Sequence, residues 1–178
     1  MSPHQSKRDS RNEFISILIS YYKFSVGVYL PPSVIKYPWS DGWPEVIPET
    51  LSFLNKNDTI LDLIKHMPFV SRDSSHDVSQ IYDKISAVDF VSDRIKKSFG
   101  IPSASSDIAD PMLEMKVVPA YVMTIARTSG GRDGFYFLCD TERWTITICD
   151  FQVRPKDWTD LTQVCRSTNF PYLMVTVS

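Results

Sequence analysis

Three polar side chains, His66, Asp140 and Arg127, are of the types that carry out acid–base chemistry. A histidine titrates near neutral pH, a carboxylate can accept a proton, and a guanidinium can stabilise a developing anion. The three lie in separate segments and form no recognised catalytic spacing. They are therefore a candidate set only for an enzyme that works with few polar groups in a shaped apolar cavity, such as an isomerase or a cyclase.

The cysteines do not indicate a catalytic thiol or a disulfide scaffold. The chain has 3 of them, Cys139, Cys149 and Cys165, without a Cys-x-x-Cys pair. Cys139 and Cys149 lie in apolar runs, where cysteine behaves as a small hydrophobic residue. A nucleophilic cysteine needs a basic partner, and no histidine carries a local signature that ties it to a cysteine. A reducing compartment is most consistent with this pattern.

Two further motifs contain residue types that bind ligands. Gly130-Gly131 lies between Arg127 and Arg132 and could cradle a phosphate, but no Gly-Lys-Ser/Thr follows and no helix is predicted to begin there. His76-Asp77 offers two metal-ligand types, but adjacent side chains diverge and further ligands are missing. We predict a hairpin loop at the first motif and a surface loop at the second, with neither a metal nor a cofactor.

Arg127 and Asp140 belong to a stretch that predicts an antiparallel meander over about residues 120–151. Three runs rich in β-branched and aromatic residues supply its strands: 121–126, 135–139 and 144–149. The middle run is apolar on both alternating sets, as expected of a strand covered on both faces, whereas the third has one wetter face. Asp140 begins a turn in which its side chain can accept a hydrogen bond from the backbone two residues on.

Helical segments are predicted around this sheet. Residues 14–30 carry apolar side chains at helical spacing: Phe14, Ile17, Leu18, Tyr21, Phe24 and Val28. This favours an amphipathic core helix; the alternative is a secretory signal, because the run follows a basic start. The run is short for a membrane span and Lys23 interrupts it. Asn57 or Asp58 is expected to cap a second helix that contains His66 and ends before Pro68, and further short helices are expected at 48–53, 93–99 and 160–166.

A proline- and aromatic-rich segment connects the two main helices. Its prolines, at 31, 32, 38 and 44, forbid a continuous helix. Because such a loop is costly to order, we expect Tyr37, Trp39 and Trp43 to pack against the domain. The alternative is an exposed groove for a peptide or ligand, lined by these rings.

Composition limits the domain organisation and the partners. The 178 residues are 43% hydrophobic, which is enough for one core. We predict a flexible segment over residues 1–12 and a single domain over 13–178. The 19 basic and 21 acidic residues are scattered and give no electrostatic reason to expect nucleic acid. No membrane association is predicted either.

Several blocks of the chain are similar to a group of uncharacterised filamentous-fungal proteins. The blocks are Tyr29-Leu-Pro, Gly42-Trp43-Pro44, Asn57-Asp58-Thr59, His66-Met67-Pro68-Phe69 and Asp140-Thr-Glu-Arg-x-Thr-Ile-Thr. That group resembles the SUKH superfamily, which includes yeast regulators of cell-wall synthesis and bacterial immunity proteins. The resemblance implies an α+β fold, with a central antiparallel sheet flanked by several helices, and a role in binding other proteins. It supplies no catalytic residues.

Trp144 departs from this resemblance, because such proteins place a glycine at that point of the Asp-Thr-x-x-Gly turn. Tryptophan adopts a positive φ only at a cost, so we expect the turn to have another geometry or to use a neighbouring residue.

The leading hypothesis is a non-enzymatic, intracellular protein-binding or regulatory module, cytoplasmic or nuclear. Tryptophan, tyrosine and arginine dominate interface energetics, which selects the predicted binding residues: Trp39, Trp43, Arg127, Arg132, Arg143 and Trp144. The alternative is a small pocket enzyme or ligand-binding protein of fungal secondary metabolism, which would use His66, Asp140 and Arg127. Secretion remains open as the alternative location.

Overall fold

The computed structural model describes residues 3–71, 80–82, 84–91, 118–128 and 135–150. Two α-helices are present in this part of the chain: α1 (Pro3–Val28) and α2 (Asp58–His66). Seven strands accompany them: β1 (Ile35–Lys36), β2 (Phe69–Val70), β3 (Gln80–Tyr82), β4 (Ile85–Ala87), β5 (Val122–Thr128), β6 (Phe135–Asp140) and β7 (Thr145–Asp150). The predicted α+β fold is confirmed, although two helices in the described ranges are fewer than the several predicted. The helices predicted at 93–99 and 160–166 lie outside those ranges.

The main sheet is an antiparallel meander of five strands in the order β3-β4-β5-β6-β7. The predicted meander supplies β5, β6 and β7, and the chain before it adds β3 and β4. A second, two-stranded sheet joins β1 to β2, with Ile35 opposite Val70. The central sheet predicted from the 120–151 stretch is thus correct but incomplete.

A β-bulge in β5 changes which side chains share a face. Thr124 lies opposite Leu138, whereas Ala126 lies opposite Phe137, so β5 advances two residues while β6 advances one. Ile125 and Ala126 consequently both join the main core, which strict alternation would not allow. The opposite face of β5 and β6 is also buried, which confirms the prediction for the middle strand. Thr147 is buried as well, so the face of β7 predicted to be wetter is dry at this residue.

The face that helix α1 presents to the core agrees only in part with the predicted one, which correctly included Phe14 and Leu18. Its buried stripe comprises Arg11, Phe14, Leu18, Tyr22 and Ser25. The predicted stripe included Phe24 and Val28, but the Phe24 side chain is 68% exposed and Val28 is also exposed. Both stripes have helical spacing, and contacts with other elements select between them. The helix begins at Pro3 and therefore runs through most of the 1–12 segment.

Two tyrosines of the α1 region fix the edge strand β3. The hydroxyl of Tyr21 donates to the carbonyl oxygen of Ile81 at 2.6 Å, and the hydroxyl of Tyr29 donates to the same oxygen. Burial, with a smaller contribution from Tyr29, raises the pKa of Tyr21 to about 12. Tyr21 therefore stays protonated and remains a donor across the physiological pH range.

Helix α2 begins as the sequence predicts. The side chain of Asn57 accepts a hydrogen bond from the backbone N–H of Ile60 at 3.0 Å, and the Asn57 N–H donates to the carbonyl of Ala120 next to β5. The cap thus joins α2 to the chain just before β5, the middle strand of the main sheet. Ile60, Leu63 and Ile64 on the inner face of α2 are fully buried.

Replacing Asn57 by alanine should lower the free energy of unfolding by about 1 kcal/mol, because the Ile60 N–H loses its side-chain acceptor and keeps only the backbone carbonyl of residue 57. Asn57→Asp should retain most of the stability, since aspartate accepts the same hydrogen bond. Urea denaturation of both variants measures the difference. Equal losses in the two variants would contradict a capping role.

Candidate binding surface

Residues 39–54, which we call the turn row, form four successive turns. In each turn the N–H of the fourth residue donates to the carbonyl of the first: Gly42 to Trp39, Val46 to Trp43, Thr50 to Ile47 and Leu54 to Leu51, at 3.0–3.1 Å. Pro44 and Pro48 occupy the second position of the middle two turns, where the fixed φ of proline favours a turn. The turn row therefore follows directly from local sequence.

The turn row is attached to the end of α2 through Trp43. The Trp43 backbone N–H donates to the carbonyl of Lys65 at 2.8 Å, and its Nε1 donates to the carbonyl of Met67 at 2.9 Å. The centroid of its ring lies 5.5 Å from that of Phe69. Trp43 is half-buried, so the prediction that it packs against the domain is confirmed.

Gly42 permits this close approach. Its φ is +89°, and a Cβ at this position would lie 2.6 Å from Cγ and 2.7 Å from the carbonyl oxygen of Lys65. Only glycine satisfies both the backbone conformation and the lack of space.

Trp39, at the start of the turn row, is 71% exposed. Tyr37 and Ile47 are also exposed. The expectation that Tyr37 and Trp39 pack against the domain is therefore wrong. The turn separates Trp39 from Gly42 and Trp43, and it is Gly42 and Trp43 that contact α2. The result is an exposed indole on a turn whose other end is fixed.

The predicted binding residues of the β-sheet do not form one surface with each other. Arg143 is exposed and lies at the β6–β7 turn, whereas Arg127 is half-buried at the far end of β5. Val122 pairs with Asp140, so roughly 3.3 Å per residue places Arg127 about 15 Å from that turn. Arg132 lies outside the described residues.

The carboxylate of Asp140 accepts hydrogen bonds from residues of its own turn. Only 2% of the residue is exposed, and its Oδ1 accepts from the backbone N–H groups of Glu142 at 2.8 Å and Arg143 at 3.0 Å. Its Oδ2 accepts from Nη1 of Arg143 at 3.1 Å. The predicted bond from the backbone two residues on is confirmed. These bonds use both carboxylate oxygens for local structure.

Trp144 itself supplies the positive φ of this turn, at 53°. The expectation that another geometry or a neighbour would replace it is wrong. The indole is only 6% exposed, and its centroid lies 6.0 Å from that of Phe14 in α1. Trp144 therefore belongs to the core rather than to a surface that a partner could contact.

His66 belongs to a polar cluster between α1 and α2. Nη1 of Arg11 lies 2.5 Å from Oδ2 of Asp62 and 3.3 Å from Nδ1 of His66. The same Nδ1 lies 2.8 Å from the Asp62 carbonyl and 3.2 Å from its carboxylate. Arg11 is 8% exposed, so its charge needs this partner. The contacts of His66 thus join two helices and do not include Asp140 or Arg127.

The thiol and possible metal ligands of the described residues show no reactive centre either. Burial raises the pKa of the Cys139 thiol, which therefore stays protonated and unreactive. Within the same ranges, no group of three or more histidine, cysteine, aspartate or glutamate side chains could hold a metal ion. Among the helices that the structure describes, none combines the length and apolar character of a membrane span.

Comparison with known proteins identifies no matching family model, curated protein or solved structure.

Sequence reasoning missed two parts of this region. Arg11 falls in the segment 1–12 that the sequence predicts to be flexible, whereas the structure makes it a buried partner of α2. The turn row was also missed, because a short helix was expected at 48–53, where the chain instead forms turns that end in the 3₁₀ segment Ser52–Leu54. Its signal is visible: Trp43-Pro-Glu-Val46 and Ile47-Pro-Glu-Thr50 share the pattern X-Pro-Glu-X. Two such tetrapeptides in tandem predict successive turns.

Gly42→Ala should destabilise the protein by about 2–4 kcal/mol, because the new Cβ meets Lys65 and the backbone conformation is strained. Gly27→Ala is a matched control: it lies in α1 with no atom near the added Cβ, and should stabilise by about 0.5–1 kcal/mol. Chemical denaturation gives both values. A neutral effect of Gly42→Ala would contradict the close approach to α2.

Trp144→Ala should cost about 3–5 kcal/mol, because a buried ring is lost while the positive φ remains. Trp144→Gly loses the same ring but relieves the backbone, so it should be about 1 kcal/mol more stable than Trp144→Ala. Alanine is normally the more stable of the two in helices and strands. Thermal denaturation of this pair therefore reports the backbone conformation, and the usual order would contradict it.

Proposed function

We propose that the protein is a non-enzymatic, intracellular protein-binding module whose contact surface is centred on Trp39. The observation that carries the proposal is an indole exposed to 71% on a turn that is fixed to α2. A tryptophan buries a large area in a complex and is among the residues that contribute most to binding. Because Gly42 and Trp43 already hold the turn, binding needs little further ordering of the backbone.

The resemblance to the SUKH superfamily supports the same function. Its expected α+β fold matches the observed sheet and helices. At position 144 the backbone has the conformation that a glycine would supply, so the tryptophan departs from the family pattern in side chain but not in backbone. The cytoplasmic or nuclear location and the regulatory role are parts of the proposal that rest on this resemblance.

The positions of His66, Asp140 and Arg127 give little support to the alternative that the protein is a small pocket enzyme. Asp140 uses both carboxylate oxygens within its turn, and Arg127 lies at the other end of β5. His66 is engaged with Arg11 and Asp62. The three therefore do not converge on one substrate position.

The decisive comparison uses wild type, Trp39→Ala and Phe24→Ala as immobilised baits. Phe24 is a matched control, because it is an aromatic residue of nearly equal exposure on α1. In extracts of the source organism, we expect quantitative mass spectrometry to find a partner retained by wild type and Phe24→Ala. Trp39→Ala should retain it at least about tenfold less well, as for a residue that dominates an interface.

Trp39 and Trp43 should not be replaced together in this experiment, because Trp43 holds the turn to α2 and its loss would confuse unfolding with lost contact. Equal unfolding temperatures of the three baits establish that each is folded. Retention of all partners by Trp39→Ala, or loss only from Phe24→Ala, would refute the proposed surface.

A further inference from the structure

We infer that the segment bound at the Trp39 surface is a peptide rich in lysine or arginine. This inference rests on the proposed function and adds the chemistry of the partner. Asp41, Glu45 and Glu49 occupy the third position of three successive turns of the turn row. All three are exposed, in the same segment as the exposed Trp39.

These carboxylates are available to a partner. In the part of the chain that the structure describes, no side chain or backbone donor bonds to the carboxylate of Asp41, Glu45 or Glu49. Residues 36–50 contain one lysine and three carboxylates. Their formal charge of −2 equals that of the whole chain, so the remaining residues balance. The segment that carries Trp39 thus has a negative formal charge, and the side chain of Lys65, which lies against Gly42, adds one positive charge beside it.

Aromatic and acidic groups together match the two parts of a basic side chain. The ammonium or guanidinium group is attracted both to carboxylates and to the face of an indole. The aliphatic stem of lysine or arginine can cover apolar surface while its charge stays in water, and Tyr37 and Ile47 provide exposed apolar surface in the same segment. An acidic peptide or a nucleic acid would instead be repelled by the three carboxylates.

The test is selection of random short peptides, displayed on phage, against the immobilised full chain. We expect the selected peptides to be enriched in lysine and arginine. Trp39→Ala should weaken the binding of a selected synthetic peptide by about tenfold or more. Glu45→Gln/Glu49→Gln should weaken it by about threefold or more and reduce its dependence on salt.

Glu13→Gln/Glu142→Gln is the matched control, because it removes the same charge from exposed positions outside the turn row. It should leave the affinity unchanged; an equal loss would show that only the net charge of the protein matters and would overturn the inference.

The remaining outcomes separate the two proposals. Peptides that need Trp39 but are neutral or acidic, and bind equally to Glu45→Gln/Glu49→Gln, would overturn the inference while supporting the Trp39 surface. Peptides that bind Trp39→Ala as well as wild type, or the selection of none, would count against the proposed function itself and against the inference that rests on it.

Discussion

The need to pair the carbonyl groups at the end of α2 is the constraint on which the proposed binding surface depends. The last carbonyls of an α-helix have no partner within the helix, and leaving them buried and unpaired costs free energy. The backbone N–H of Trp43 donates to the carbonyl of Lys65, and its indole N–H donates to the carbonyl of Met67, the residue that follows the helix. One residue therefore pairs two carbonyls at the helix end and holds the turn row. The polar cluster of Arg11, Asp62 and His66 joins the same end of α2 to α1.

This arrangement explains why two tryptophans four residues apart have different roles. Trp43 lies where α2 offers acceptors and the ring of Phe69, so its ring is half-buried. Trp39 lies at the other end of a turn, and the N–H of Gly42 closes that turn onto its carbonyl. Holding Trp43 in place thus determines where Trp39 is displayed, although Trp39 contributes no contact to α2 that the structure records.

The features that the sequence predicted correctly are local ones. The cap at Asn57 and the turn at Asp140 each depend on a side chain that bonds to backbone two or three residues away, so residue type and position suffice. The strands of the meander were predictable because each of their runs is rich in β-branched and aromatic residues.

Two mispredicted features, the buried face of α1 and the exposure of Trp39, depend on contacts between distant segments. In α1, the predicted and the observed stripes both have helical spacing and share Phe14 and Leu18, and the contact of Arg11 with Asp62 belongs only to the observed one. The exposure of Trp39 likewise depends on which side of its turn meets α2. The contacts of Trp43 with Met67 and of Arg11 with Asp62 join residues more than twenty positions apart along the chain, so the local spacing of the residues does not reveal them.

Trp144 shows how tertiary packing can outweigh a local preference. A positive φ costs a residue with a side chain about 1–2 kcal/mol, which favours glycine at this point of the turn. Burying a tryptophan ring contributes about 3–5 kcal/mol relative to its loss, and the ring lies against Phe14 of α1. The second quantity exceeds the first, so a tryptophan can occupy a position shaped for glycine and preserve its backbone geometry. The same ring also brings α1 against the β6–β7 turn, a contact that glycine could not make.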